Sequence, residues 1–114
     1  MFWKKEKIPE ITCQELHDTL AAKKEIILVD VRNEFELEYG QISKEQILIP
    51  LPELAQKISE LEKYKEQELV VYCRTGGRSA RATAFLQSQG FTGAKNLVGG
   101  ILAYREFDES IITY

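Results

Sequence analysis

Residues 69–90 read LVVYCRTGGRSARATAFLQSQG, which is an apolar run, a loop with two glycines and an Ala-rich stretch in succession. The run Leu69–Tyr72 is typical of a strand that is buried on both faces of a sheet. The stretch 79–89 predicts a helix that ends at Gly90. A buried strand that leads directly into a helix favours an α/β fold with a parallel sheet.

The alternation of strand and helix continues on both sides of this stretch. Upstream, the sequence predicts a helix with a capping box at Thr12 and Glu15, followed by a strand at 26–31. A short helix from Asn33 to about Glu38, a strand at 47–49 and a helix that starts at Pro52 come next. Downstream, it predicts a strand at 96–98 and a short helix after Gly99 and Gly100. We therefore expect an arm at 1–7 and one three-layer α/β domain at 8–114, with a mostly parallel central sheet and helices on both faces.

The composition excludes several classes of protein. With 114 residues, 44% of them hydrophobic and 29% charged, the chain has the make-up of one ordinary globular domain. Its two cysteines are too few for a multi-disulfide scaffold or a Cys-rich zinc site. The apolar run 26–29 is far shorter than the ~18 residues that span a bilayer, and no apolar segment of a secretory signal follows Met1. We expect a soluble, cytoplasmic protein without a membrane partner.

The charge is distributed unevenly along the chain. Residues 69–105 contain five Arg or Lys side chains and no Asp or Glu, so the net charge of −3 leaves −8 for the rest of the chain. Such asymmetry indicates a local electrostatic field with a function. A nucleic-acid surface is disfavoured, because three of the five cations lie in one short segment without interleaved aromatic residues.

The segment from Cys73 to Ser79 carries the residues with reactive or anion-binding chemistry. It begins where a parallel strand ends, which is where α/β sheets place their functional sites. The Cys73 thiol faces the N-terminus of the next helix, where free amides and the helix dipole favour an anion. Gly76 and Gly77 permit positive φ, so the loop amides can turn inward, and Arg78 adds a charge.

The free energy needed to ionise the Cys73 thiol shows which contacts the site requires. A free thiol with a pKa of about 8.5 is only about 3% ionised at pH 7. Lowering that pKa to about 6 takes roughly 3.4 kcal/mol, whereas a helix dipole supplies ~2 kcal/mol at most. Several loop amides must therefore donate to the sulfur. The alternative, a small buried hydrophobic residue at a strand end, is disfavoured by the glycines, arginine and serine that follow Cys73.

Two other residues are not expected to take part. Cys13 lies in the first turn of the first predicted helix, and nothing in the pattern brings that turn to Cys73. His17 is the only histidine, and it lies on a mixed helix face. We expect neither a two-cysteine mechanism nor a Cys-His dyad.

The chain resembles the single-domain rhodanese-like sulfurtransferases over nearly its whole length. The segments that carry the resemblance are Pro9-Glu10-Ile11, Leu28-Val29-Asp30-Val31-Arg32 with Glu36, Ile49-Pro50-Leu51, the Cys-x4-Arg-Ser motif at 73–79 and Asn96-Leu97-Val98-Gly99-Gly100-Ile101. The resemblance implies the rhodanese-like fold and a persulfide enzyme without a cofactor or metal. Such an enzyme moves sulfane sulfur from thiosulfate or a persulfide to a thiol or cyanide, with a sulfur-relay protein as a further partner class.

The resemblance also assigns roles to individual residues. Cys73 becomes the nucleophile that carries the persulfide, and Asp30 and Arg32 support the site from the neighbouring strand. The residues that bind the anionic donor are Arg74, Thr75, Gly76, Gly77, Arg78 and Ser79.

The sequence departs from the family pattern at Gly40-Gln41-Ile42, where a histidine usually takes the place of Gln41. Glutamine can also donate and accept hydrogen bonds, so local geometry is affected more than catalysis. Two other functions stay open at this point. One is a phosphatase or arsenate reductase, whose motif has one more residue between Cys and Arg. The other is a non-enzymatic sulfur carrier or partner-binding module.

Overall fold

The computed structural model describes residues 7–114. The predicted arm at 1–7, apart from Lys7, lies outside the described residues. A five-stranded sheet forms the centre of the molecule. Its strands are β1 Glu10–Ile11, β2 Ile27–Asp30, β3 Ile47–Leu48, β4 Leu69–Tyr72 and β5 Ala94–Leu97.

The strands lie in the order β1-β5-β4-β2-β3, and each pairs with its neighbour in parallel. The register pairs Asp30 at the end of β2 with Tyr72 at the end of β4. Polar residues at the carboxyl ends of these two strands therefore meet at one edge of the sheet. The expected α/β fold with a parallel sheet is confirmed.

Residues of β4 alternate between two hydrophobic layers. Leu69 and Val71 point into one layer, and Cys73 continues on that side. Val70 and Tyr72 point into the other. All five residues are at most 1% exposed, because helices or 3₁₀ turns cover both faces of the central strand.

The helices are short. They are α1 Cys13–Ala21, α2 Gly77–Ser88 and α3 Gly100–Tyr104, and 3₁₀ helices occur at Glu34–Tyr39, Leu51–Glu53 and Ile58–Tyr64. The predicted capping box at the start of α1 is confirmed: Thr12 Oγ1 accepts from the amide of Glu15 at 3.1 Å, and Glu15 Oε1 accepts from the amide of Thr12 at 2.9 Å.

Two predicted elements differ from those observed, and one observed strand was not predicted. The helix expected from Pro52 is two 3₁₀ segments separated by turns, and packing of Leu54 and Leu61 into the core holds them in place. Strand β1 was not predicted, because two residues give no periodic signal and the strand exists through its pairing with β5. Helix α2 begins at Gly77, two residues earlier than expected.

Gly100 is the glycine at which a side chain would be the least tolerated. Its φ is +65°, and a Cβ built there would lie 2.3 Å from the carbonyl oxygen of Arg74 and 2.7 Å from that of Cys73. The start of α3 therefore packs against the backbone of the strand end, and Ile101 donates its amide to the Cys73 carbonyl at 2.9 Å. Only glycine allows this close approach.

We predict that Gly100→Ala lowers the free energy of unfolding by at least about 2 kcal/mol, because both φ and the contact become strained. Gly77→Ala is the matched control, since nothing lies within 4 Å of a Cβ at Gly77, which starts a helix. That variant should be neutral or gain up to about 1 kcal/mol. Urea unfolding measures both changes. Equal effects of the two variants would contradict the assignment of close packing to Gly100.

Candidate active site

The Cys73 loop, residues 73–79, connects the end of β4 to the first turn of α2. Cys73 itself is 1% exposed, so its sulfur lies at the base of the loop. Its Sγ accepts the backbone amide of Gly76 at 3.1 Å and that of Ser79 at 3.4 Å, and it lies 3.3 Å from Ser79 Oγ. The structure thus brings two backbone amides and one hydroxyl of the loop to one sulfur atom.

These contacts outweigh the effect of burial on the thiol. Burial raises the pKa of Cys73, but the contact with the Ser79 hydroxyl and hydrogen bonds from the amides of Ser79, Gly76 and Thr75 lower it below its ordinary value. The loop can therefore hold a sulfur anion. The amides supply the contribution that a helix dipole alone cannot.

Only one of the two loop glycines has the expected conformation. Gly76 has a φ of +111°, which turns its amide toward the sulfur. Gly77 is the first residue of α2 and has no positive φ, so the expectation that both glycines form the turn was wrong for Gly77. Early entry into the helix is what brings the amide of Ser79 within reach of Sγ. Thr75 is exposed at the tip of the loop.

Asn96 on β5 supports the inner side of the loop. Its Oδ1 accepts from Ser79 Oγ at 2.5 Å, and its Nδ2 donates to the carbonyl of Gly76 at 3.4 Å. Asn96 and Ser79 are both buried. These two bonds hold the Ser79 hydroxyl and the Gly76 turn in position beside the sulfur.

Arg78 is not free to point at a ligand. Its two terminal nitrogens donate to the two carboxylate oxygens of Glu36, at 2.7 and 2.9 Å. Hydrogen bonds from Arg78 hold the pKa of Glu36 at about 2, so this carboxylate is ionised at neutral pH. Hydrogen bonds to Glu36 in turn raise the pKa of Arg78, and the nearby Cys73 sulfur raises it further.

Asp30 and Arg32 form a buried ion pair beside the loop, with 2.8 Å between Arg32 Nη2 and Asp30 Oδ2. Arg32 also donates to the carbonyls of Glu36 and Gly40, at 3.2 and 2.8 Å. Burial opposes the charge of Arg32, but the bonds to Asp30 and Tyr114 outweigh it and raise its pKa. The pair thus holds the 3₁₀ helix that carries Glu36, and no hydrogen bond joins it to Cys73 Sγ.

Tyr114 connects the parts of the site. Its hydroxyl accepts from Arg32 Nη1 at 3.2 Å and donates to Glu36 Oε2 at 2.8 Å. Its ring stacks on Tyr39, with centroids 4.3 Å apart, and the Arg74 guanidinium lies 5.0 Å from its centroid. Both arginines of the Cys73 loop are therefore positioned through Tyr114, directly or through Glu36.

The two residues set aside from the sequence lie elsewhere. Cys13 belongs to the hydrophobic layer opposite to that of Cys73 and lies near the carbonyls of Val98 and Gly100. Burial raises the pKa of the Cys13 thiol. His17 stacks on Phe107 at 4.5 Å between centroids. The layer assignment places the two sulfurs on opposite faces of the sheet.

Sequence reasoning missed the roles of Glu36, Tyr114 and Asn96 around the loop. The sequence indicates Glu36 only through the family resemblance. In the structure its Oε1 accepts from the amide of Asn33 at 2.8 Å. No local pattern indicates that its carboxylate also binds Arg78, 42 residues away. Gln46 was also missed: it donates to Asp30 at 2.9 Å and accepts from Tyr72.

The described part of the chain, residues 7–114, contains no helix long and apolar enough to cross a membrane. Over the same residues, no group of three or more His, Cys, Asp or Glu side chains is arranged to hold a metal ion. Cys13 and Cys73 are both free thiols.

Comparisons of the sequence and of the structure with known proteins match the same family. Residues 12–107 match the profile of the family described as rhodanese-like domain. A sulfurtransferase from Allochromatium vinosum is 35% identical over 97 residues, which are 85% of this chain and 88% of that protein. The human single-domain sulfurtransferase is 31% identical with a TM-score of 0.73, over 86% of this chain and 96% of that one. A rhodanese-related protein from Thermoplasma volcanium is 33% identical with a TM-score of 0.76, over 88% and 93%.

Some relatives are much longer than this chain. A tRNA uridine(34) hydroxylase from Acinetobacter baumannii is 34% identical over 92 residues, which are 76% of this chain but 29% of the hydroxylase. The resemblance inferred from the sequence is confirmed by the matches of similar length. The chain belongs to the rhodanese-like domain family, whose members compared above include two sulfurtransferases of similar length.

Proposed function

We propose that the chain is a sulfurtransferase that moves sulfane sulfur from thiosulfate or a persulfide donor to a thiophilic acceptor, with Cys73 as the carrier. The observation that carries the proposal is the pair of backbone amides, from Gly76 and Ser79, that donate to Cys73 Sγ. Fixed donors around a sulfur stabilise an anion there without reorganisation during the reaction. They support both a thiolate and the terminal sulfur of a persulfide.

The loading step needs a thiolate and a donor with a weak sulfur–sulfur bond. Cys73 Sγ attacks the outer sulfur of thiosulfate, a new S–S bond forms, and sulfite leaves with the electron pair of the broken bond. In the persulfide, the terminal sulfur lies one S–S bond, about 2.05 Å, beyond Cys73 Sγ. Because Cys73 is 1% exposed, this extension brings the transferable sulfur closer to the mouth of the loop.

The second step returns Cys73 to its starting state. An acceptor thiolate or cyanide attacks the terminal sulfur, and the Cys73 thiolate is the leaving group. Its lowered pKa favours departure. A protein thiol on a sulfur-relay partner is one such acceptor. Since both cysteines are free thiols, a reducing cytoplasm is the location we propose.

The other residues of the loop have supporting roles in this proposal. Arg74, which makes no salt bridge with a carboxylate of residues 7–114, faces the anionic donor, and Thr75 lies at the exposed tip. Arg78 is held beside the loop by its two hydrogen bonds to Glu36. Asp30 and Arg32 keep the Glu36 segment in place. The chemistry as proposed uses neither a cofactor nor a metal.

We predict that thiosulfate leaves one extra sulfur atom on Cys73, because the loop holds a nucleophilic thiolate. Intact mass and peptide mapping detect the added sulfur, and cyanide should remove it as thiocyanate. Cys73→Ser should lose transfer entirely, whereas Cys13→Ser should keep most of it, since the two thiols lie on opposite faces of the sheet. Absence of a mass gain with several donors would contradict the proposal, and inactivity of Cys13→Ser would contradict the one-cysteine mechanism.

We predict that Cys73 is alkylated by iodoacetamide with a midpoint below pH 8.5, because its folded pKa is lowered and the thiolate persists to lower pH. Cys13→Ser isolates the signal. In that background, Ser79→Ala should raise the midpoint by about one pH unit, since the hydroxyl that lies 3.3 Å from the sulfur and lowers its pKa is lost. Ser88→Ala removes a hydroxyl from the far end of α2 and should leave it unchanged. A midpoint at or above ~8.5 in the parent would contradict the anion-holding role of the loop.

We predict little or no hydrolysis of aryl phosphates. Four residues separate Cys73 from Arg78, and the resulting ring of amides closes on one sulfur atom, whereas a phosphoryl group has three equatorial oxygens to accommodate. Inserting one Gly between Gly76 and Gly77 should weaken sulfur transfer and favour phosphate binding. Phosphate release, phosphate inhibition and thermal unfolding measure these effects. Efficient phosphatase activity of the unaltered chain would overturn the assignment.

A further inference from the structure

The sequence motif suggests that Arg78 binds an anion, but Glu36 already neutralises its positive charge. Both carboxylate oxygens of Glu36 accept from its guanidinium, and the side chain of Glu36 is 4% exposed against 31% for Arg78. A bidentate pair with one buried partner is screened less by solvent than a surface salt bridge. To a donor that approaches Cys73, this pair is close to neutral.

The second arginine behind the loop is neutralised in the same way. Arg32 and Asp30 are both 0% exposed and lie 2.8 Å apart. Neither pair therefore adds net charge at the sulfur. A thiolate on Cys73 contributes −1, so these five ionised groups together are net negative.

Arg74 is the cation that remains for a donor. Among residues 7–114 it forms no salt bridge, and its Nε is shielded from solvent without a hydrogen-bond partner. Its guanidinium lies over the ring of Tyr114, whose hydroxyl donates to Glu36. Tyr114 thus holds Arg74, the loop arginine that has no carboxylate partner among residues 7–114, and the carboxylate that neutralises Arg78.

We infer that the Cys73 loop selects sulfur donors that carry one negative charge, such as thiosulfonates and hydropersulfide anions, over the dianion thiosulfate, and that Glu36 is the positioning residue that sets this preference. The net charge of the Cys73 thiolate, Arg74 and the bound donor together is −1 with a singly charged donor and −2 with thiosulfate. The extra repulsion acts in a partly buried site, where the effective dielectric is below that of water. This inference rests on the proposed function and refines its donor class.

The two donor classes react by the same balanced step. The Cys73 thiolate attacks the terminal sulfur of methanethiosulfonate, one S–S bond forms, the S–S bond of the donor breaks, and methanesulfinate leaves with the electron pair. With thiosulfate the leaving group is sulfite. Each reaction converts one thiolate into one persulfide anion and needs no other oxidant or reductant. The donors therefore differ in charge and in leaving group.

The test measures second-order rate constants for persulfide formation on Cys73 by intact mass, with methanethiosulfonate and with thiosulfate at equal ionic strength. Each constant is divided by that of free cysteine with the same donor at the same pH, which removes intrinsic reactivity. The normalised monoanion-to-dianion ratio should exceed one by about tenfold in the natural protein. Raising the salt concentration to about 0.5 M should reduce it, because screening weakens the repulsion.

Glu36→Gln keeps the size of the side chain and removes the charge that neutralises Arg78. It should lower the normalised ratio by about tenfold, mainly through faster loading by thiosulfate. Glu36→Asp keeps the charge and should keep a ratio near that of the natural protein. A purely structural role for Glu36 would slow both donors by the same factor and leave the ratio unmoved. Thermal unfolding reports whether each variant is folded.

A normalised ratio at or below one in the natural protein overturns the inference, whatever the variants do. An unchanged ratio in folded Glu36→Gln overturns the role of Glu36. If Glu36→Gln does not fold, the ratio of the natural protein and its salt dependence decide. Failure of both donors to load Cys73 overturns the proposed function itself, whereas loading without preference overturns only the inference.

Discussion

The contact on which the site depends is the donation of two backbone amides to Cys73 Sγ, from Gly76 at 3.1 Å and Ser79 at 3.4 Å. A thiol that is 1% exposed would ordinarily be a neutral, inert group, because burial disfavours its anion. Here the loop replaces the lost water with fixed donors. Much of the surrounding structure keeps these donors in place: the Gly76 turn, the early start of α2, and Asn96 behind Ser79.

A second set of interactions surrounds this contact and determines the charge near it. Asp30, Arg32, Glu36, Arg78 and Tyr114 form a continuous chain of hydrogen bonds from β2 to the loop. Its two arginines are each paired with a carboxylate, so the chain contributes rigidity with little net charge. A site that looks strongly cationic in sequence is therefore close to neutral in three dimensions, apart from Arg74.

The fold alone does not determine the reaction, because a segment similar to this chain also occurs within a longer protein of another activity, the tRNA uridine(34) hydroxylase. The proposed chemistry rests on the Cys73 loop, whose amides hold one sulfur. The inferred donor preference rests on the surroundings of that loop. A loop motif and its neighbours thus contribute separately to the proposed chemistry.

The sequence by itself determined the features that depend on short-range patterns. The apolar run of β4, the capping box of α1 and the loop from Cys73 to Ser79 were predictable, because each is set by neighbours within a few residues. The position of Cys73 at the carboxyl edge of a parallel sheet followed from the order of the elements. The family resemblance rested on the same local segments.

Only the tertiary structure decided which residues surround the loop. Strand β1 exists because β5 pairs with it, and the segments after Pro50 are 3₁₀ turns because the core holds Leu54 and Leu61. Glu36 meets Arg78 across 42 residues, and Tyr114 meets Arg32 across 82. Such contacts leave no periodic trace in the sequence, because they arise from the packing of elements that are distant along the chain. The charge at Cys73 depends on these long-range pairs, and for that reason the motif alone could not reveal it.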